Sequence, residues 1–250
     1  MADEEKSDDK ISRRKFIRNS SYLAGGAIGG TVLGTFIGTN FLDEETANKS
    51  QNNNQPTNFN RALKFFTRQA DFQILSAACE RIYPKDDLGP GAIELGAPFF
   101  IDHELAGAYG NNEREYMKGP FSEGTDYQGY QTPLKRNAVF MAGIRALEKE
   151  SQSAHNKGFV ELDGEQQDKI LTKFEDDKIK LKHVSSAYFF ELLRSATISG
   201  TYADPLYGGN ADMEGWKMKD FPGSQMSYLN RIGSKKFIKI KPKSLGDHYS

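Results

Sequence analysis

From Ser20 to Leu42 the chain has no charged side chain, and from Asp43 to Asn58 it has almost no apolar one. As a helix, the first stretch is long enough to cross a hydrocarbon core of about 30 Å. The second cannot bury enough surface to order itself, and it reads as a linker. Beyond the linker the apolar residues settle into spacings of three and four. Thr67 starts a helical pattern with Phe72, Leu75, Ala78, Cys79 and Ile82 on one stripe, stopped by Pro84. The same periodicity predicts helices from about Ala92 to Ala106, from Pro133 to about Lys149, from Glu165 to about Asp176 and from about Ser185 to Ser199. The fourth opens on Asp163-Gly164-Glu165-Gln166, which has capping-box spacing, and carries Ile170, Leu171 and Phe174. The fifth carries Tyr188, Phe189, Leu192, Leu193 and Ala196. No sustained strand alternation lies between them, so the expected fold is mostly α, a single irregular helical domain.

Periodicity fails from Gly200 to Ser227, yet Tyr202, Tyr207, Trp216 and Phe221 fall there among many glycines and prolines. Loops of this length are usually functional or disordered, and the aromatic content argues against disorder. The segment must pack against its own helices or against a partner, and both readings stand. Because Trp and Tyr offer much contact area for little lost side-chain entropy, Tyr202, Tyr207, Trp216 and Phe221 form the candidate partner interface. The tail Lys235-Lys236-Phe237-Ile238-Lys239-Ile240-Lys241 alternates in the manner of a short edge strand, or it is a solvated or partner-touching end. The expected organisation is thus a signal and anchor over 1–42, a linker over 43–58, the helical domain over 59–233 and a basic tail over 234–250.

Composition narrows the function classes. With 33 Lys and Arg against 34 Asp and Glu, the chain offers no general field for nucleic acid. A single cysteine, Cys79, excludes an internal disulfide, so the domain is stable from its core alone. The charges that matter most precede the apolar run. Ser12-Arg13-Arg14-Lys15-Phe16-Ile17 has the form of a twin-arginine export signal, with Arg13 and Arg14 as its paired arginines. The run that follows is longer than the apolar region of a cleaved signal, and no Ala-x-Ala site ends it. Basic residues before it and acids after it place the N-terminus in the cytoplasm and the domain on the extracytoplasmic side of the cell membrane. Gly26, Gly30, Gly34 and Gly38 recur every fourth residue, a pattern common to twin-arginine signals and to helix-packing stripes alike.

A self-contained active site is hard to find. His103, His155, His183 and His248 are scattered, and no His-Glu-x-x-His, Cys-x-x-Cys, dinucleotide fingerprint or phosphate loop is present in the domain. In Asp102-His103-Glu104 adjacent helical residues point about 100° apart and cannot converge on one ion, which leaves a polar helix face. Cys79 lies on an apolar stripe with no activating base, and Glu80 and Arg81 read as a solvated or locally paired face. Asp86, Asp87, Asp204 and Asp212 sit beside turn residues, where capping explains them. No catalytic, cofactor-binding or metal-binding residue is assigned.

Several separated stretches in a fixed order do carry information. They are Cys79-Glu80-Arg81-Ile82-Tyr83-Pro84 with Asp86-Asp87-Leu88-Gly89-Pro90-Gly91-Ala92, then Gly119-Pro120-Phe121 and Gly129-Tyr130-Gln131. The densest is Tyr202-Ala203-Asp204-Pro205-Leu206-Tyr207-Gly208-Gly209-Asn210, running into Gly215-Trp216-Lys217 and Phe221-Pro222-Gly223. Through them the chain resembles the gluconate 2-dehydrogenase subunit 3 family, over about residues 66–230. That resemblance implies a non-catalytic small subunit of a membrane-associated dehydrogenase acting on a sugar, sugar acid or polyol. It implies that FAD belongs to a partner, a large subunit of the glucose-methanol-choline type, and that a multihaem cytochrome subunit takes the electrons onward. The small subunit would bring the flavoprotein through the twin-arginine machinery, stabilise it and, with an uncleaved run, tether it to the membrane. The competing expectations are a free-standing exported enzyme and a tethered binding module.

Overall fold

The computed structural model describes residues 61–122 and 124–249. The twin-arginine motif, the apolar run and the linker lie outside the described residues. Of the described residues, those in 61–162 and 166–249 belong to one compact unit. Among the described residues there are helices and no strands. The helices are α1 (Gln69–Ile82), α2 (Ala97–Ala106), α3 (Arg136–His155), α4 (Gly164–Glu175), α5 (Ser186–Tyr202) and the short α6 (Glu214–Met218), joined by loops that contain single 3₁₀ turns. None of them is long and apolar enough to cross a membrane.

The apolar stripes do what their spacing predicts. Phe72, Leu75, Ala78 and Cys79 of α1, Ile101 and Leu105 of α2, Phe140, Ile144 and Leu147 of α3, Ile170 and Phe174 of α4, and Phe189 and Leu193 of α5 share one core. Phe189 links three of these helices, with its ring edge-on to Phe140 at 5.9 Å and to Phe174 at 5.7 Å. Helix α3 passes Phe189 at Gly143, where any Cβ would collide with the ring. Helices α2 and α5 are similarly close at Gly200, where a Cβ would stand 3.0 Å from Ala97 Cα. Arg81 of α1 forks onto Asp168 of α4 through Nε–Oδ1 and Nη2–Oδ2 bonds of 2.8 Å each. It is therefore a long-range tie and not part of a solvated face.

Several boundaries differ from the expected ones. The second helix starts at Ala97 instead of Ala92, because Gly96 adopts a left-handed conformation (φ 75°) and Pro98 occupies the first turn. Residues 92–96 form turns closed by Leu95 N–H to Gly91 and Ala97 N–H to Ala92 bonds. The third begins at Arg136 and runs on to His155, ending only where Asn156 turns left-handed (φ 55°). The segment expected to be aperiodic from Gly200 opens in the last turn of α5, which runs to Tyr202 instead of ending at Ser199, and it also contains α6. Helix α5 starts as expected, with the Ser185 hydroxyl accepting the Tyr188 N–H at 3.1 Å. The basic tail forms no strand; Lys243 alone makes an isolated bridge, to Gly223.

Asp102 is not on a polar face. It is fully buried, and its carboxylate accepts the N–H groups of Lys64 (2.6 Å), Phe65 (3.1 Å) and Phe66 (2.8 Å). One side chain on α2 thereby fixes the segment that leads into α1.

Candidate functional site

The C-terminal end of α1 and the end of α5 meet, and the loops singled out by their motifs are built on that meeting point. Glu80 Oε1 accepts the Lys85 N–H (3.0 Å) and Oε2 the Ile93 N–H (2.9 Å), so one carboxylate holds both ends of the loop between them. Burial pushes the Glu80 carboxyl above its ordinary range, and the two N–H bonds only partly offset this. Gly91 packs directly on that carboxylate, where a Cβ would lie 2.6 Å from Lys85 N. Within the loop Asp86 and Gly89 exchange backbone hydrogen bonds of 3.2 Å, and Asp86 Oδ1 accepts the Leu88 N–H at 2.8 Å. Leu88 stands at the tip, 82 % exposed. Behind it, Gly89 rests against the Met218 thioether of α6.

The second loop follows α5. Asp204 Oδ1 accepts the Leu206 N–H (3.0 Å) at the start of the 3₁₀ turn Pro205–Tyr207, and Oδ2 accepts the Leu245 N–H (2.8 Å) from the C-terminal segment. Asn210 is fully buried and left-handed (φ 47°). Its Nδ2 donates to the Ala203 carbonyl (2.9 Å), and its Oδ1 accepts the Gly215 N–H (2.8 Å). Its own N–H satisfies the Gly200 carbonyl in the last turn of α5, while the Ala211 N–H reaches Leu95 ahead of α2. Trp216 is buried, donating Nε1–H to the Tyr202 carbonyl at 2.8 Å. Phe221 meets the Trp216 ring edge-on at 5.3 Å, and Gly223 (φ 67°) lets the chain pass against that ring.

The two loops are joined by a pair of phenols. Tyr83 and Tyr202 share a hydrogen bond of 3.0 Å between hydroxyls, with their rings edge to face. Burial, then the bond to Tyr202, raises the Tyr83 phenol above its ordinary value. Lys219 Nζ lies 5.1 Å from the centre of the Tyr202 ring, a cation–π contact.

Of the four candidate interface residues, Tyr202 and Trp216 are engaged within the domain. Tyr207 and Phe221 are half in water. Leu88 and Leu206 join these two as exposed apolar side chains on the same packed loops. The polar candidates are not brought together. Cys79 is fully buried, and its thiol is pushed up to about 12, chiefly by burial. The Thr197 hydroxyl, 3.3 Å away, donates to the Leu193 carbonyl. His103 Nε2 lies 2.9 Å from the Ala62 carbonyl, and His248 Nε2 lies 3.0 Å from that of Ser224. No group of three or more His, Cys, Asp or Glu that could hold a metal occurs among the described residues. Two open clefts of ≈ 200 Å³ flank α2, one beside Glu104, Tyr109, Ser195 and Ser199 and the other beside Gly96, Pro205 and Gly208. Both are smaller than the roughly 300–1,000 Å³ of ordinary ligand pockets.

Sequence reasoning missed Glu80 and Asn210 as organisers. Asn210 had a signal, since Gly-Gly-Asn after a helix is the composition of left-handed backbone. Glu80 had none, because its partners are backbone groups that only the folded loop delivers.

The family described as Gluconate 2-dehydrogenase subunit 3 matches residues 69–223. No curated protein and no solved structure matches the chain.

Proposed function

The chain belongs to the gluconate 2-dehydrogenase subunit 3 family, and from that premise we propose that it is the non-catalytic accessory subunit of an exported flavoprotein dehydrogenase. The catalytic partner is a large subunit of the glucose-methanol-choline type that carries FAD and oxidises a sugar, sugar acid or polyol. A multihaem cytochrome subunit receives the electrons. Arg13 and Arg14 address the assembled pair to the twin-arginine machinery, and the apolar run holds it on the outer face of the cell membrane. Folded export suits such a pair, because a flavin is retained only by a folded protein.

The observation that carries this reading is how the family-matching residues are used. Glu80, Tyr83, Asp204, Asn210 and Trp216 hold two loops together by hydrogen bonds and packing, and what those loops turn outward is Leu88, Leu206, Tyr207 and Phe221. Apolar and aromatic side chains on a rigid support are the anatomy of a protein interface core. The flavoprotein co-expressed with this chain should be recovered outside the cytoplasm as a complex. Removing residues 1–42, or changing Arg13 and Arg14 to Lys, should leave it inside the cell. Unchanged export and activity of the flavoprotein after either change would refute the proposal.

A further inference from the structure

Between Phe221 and Lys243 the chain carries six of its 33 basic residues and none of its 34 acidic ones, so the remainder holds seven more acids than bases. Large apolar side chains stand in water among those charges: Met226, Leu229, Ile232 and Phe237, the last 96 % exposed. Nearly all of the segment lies beyond the family match, which ends at residue 223. Its two ends are held. Ser234 N–H closes a turn onto Arg231, the Lys243 N–H donates to Pro222 (3.2 Å), and the Lys243 carbonyl accepts the Ser224 N–H (2.8 Å). Between them, from Phe237 to Lys241, no backbone N–H or carbonyl is hydrogen-bonded to another described residue. Phe-Ile-Lys-Ile-Lys is strand-forming composition, with lysines in place of some of its apolar side chains. An open row of donors and acceptors on such a sequence is a template for strand pairing.

We propose that Lys235–Lys241 adds as a β-strand to the edge of a sheet in another protein, an edge lined by Asp and Glu side chains. The partner is the flavoprotein subunit, so the assignment rests on the accessory-subunit reading above. Strand addition satisfies the open backbone groups and lets side chains on alternate positions set specificity. A lipid surface offers anionic headgroups to the lysines but no row of backbone donors and acceptors for a strand to pair with. A second copy of this chain offers no strand among its described residues, and in-register pairing of two tails sets lysine against lysine. The acidic edge takes over Lys239 from Asp220, a pair at 2.5 Å with both side chains largely exposed and so of little net worth.

The test uses the full chain co-purified with the flavoprotein. Amide hydrogen exchange over residues 237–241 is expected to slow at least tenfold in the complex relative to the chain alone. Ile238→Pro, Lys239→Pro and Ile240→Pro each remove one N–H group. Successive N–H groups of a strand point to opposite sides, so Lys239→Pro should differ at least tenfold in its effect on affinity from both of its neighbours. Equal effects at all three positions overturn the strand geometry. Lys239→Glu with Lys241→Glu should weaken the complex at low salt and less so at high salt. A complex in which 237–241 exchange freely overturns the strand proposal and leaves the accessory-subunit reading standing. Slowing brought about by phosphatidylglycerol vesicles or by a higher concentration of the chain, and not by the flavoprotein, overturns it in favour of a lipid or self-association surface. If no flavoprotein co-purifies with the intact chain, both readings fall together.

Discussion

A carboxylate with no exposed surface is tolerated at Asp102 because three consecutive backbone N–H groups point at it. Asp102→Ala leaves those donors without their acceptor, and the expected loss is about 3 kcal/mol of stability, with Asp102→Asn losing roughly half as much. Urea unfolding checks this as a lowered midpoint at unchanged slope. Cys79 makes the opposite case, a titratable group buried without a charged partner. Unfolded, its thiol loses a proton near pH 9; folded, it holds that proton to about pH 12. The unfolded state then binds fewer protons, so the Cys79 contribution is complete below pH 9 and declines as pH rises towards 12. The stability difference between the protein and Cys79→Ala should shrink by up to about 1.4 kcal/mol per pH unit above this onset. A difference that stays flat with pH would show a thiol in contact with water. Alkylation of native Cys79 in mildly alkaline buffer is expected to be very slow for the same reason.

Among the elements, the helices are products of local pattern, whereas the loops depend on single polar side chains. The loop after α1 has Glu80 at both of its ends. Glu80→Ala should raise amide exchange over residues 85–93 while leaving α3 and α4 protected, a local opening instead of global loss. Protection unchanged in that loop would mean that Met218 and the Tyr83–Tyr202 pair suffice to hold it. The raised Glu80 carboxyl also has a sign. Its burial favours the protonated form, so its contribution to stability is complete below the unfolded value and is lost as pH rises through the folded one. Glu80→Gln should remove that dependence. The helix boundaries were legible at Ser185 and Pro84, whereas Pro133 did not mark the start of the third helix, which begins at Arg136. The second helix was misplaced because Ala92 and Leu95 fit a helical stripe equally well when they pack from a turn. Both are buried, and periodicity cannot separate the two cases.

At the scale of the molecule, the outward residues of the two loops are exposed, and the proposed interface assigns them to binding more than to folding. Leu88, Leu206 and Tyr207 support little of the domain's own core, so replacing them together with Ser should shift unfolding only slightly. The same change should weaken co-purification of the flavoprotein at least tenfold, because interface affinity concentrates in apolar and aromatic anchors. Trp216→Ala is expected to behave differently, losing about 3 kcal/mol or more of stability along with binding, since its ring is buried against Phe221 and Gly223. Equal affinity for the triple Ser variant and the intact chain would move the interface elsewhere.

The helical class, the buried stripe through Cys79, the packed and non-repeating character of the Gly200–Ser227 stretch and the family itself follow from the amino-acid order, because periodicity, turn composition and motif spacing are local properties that survive in one dimension. Tertiary structure alone decided that Asp102 is an anchor, that Arg81 belongs to Asp168, and that Glu80 and Asn210 hold the two loops together. Each of those roles depends on partners brought from elsewhere in the chain or on backbone groups that only the folded loop presents, and a hydrogen bond leaves no mark on the sequence spacing of the groups that make it. The division of the four aromatics was decided there too. Tyr202 and Trp216 turn inward and Tyr207 and Phe221 outward, since a segment without a repeating period has no face until it is packed.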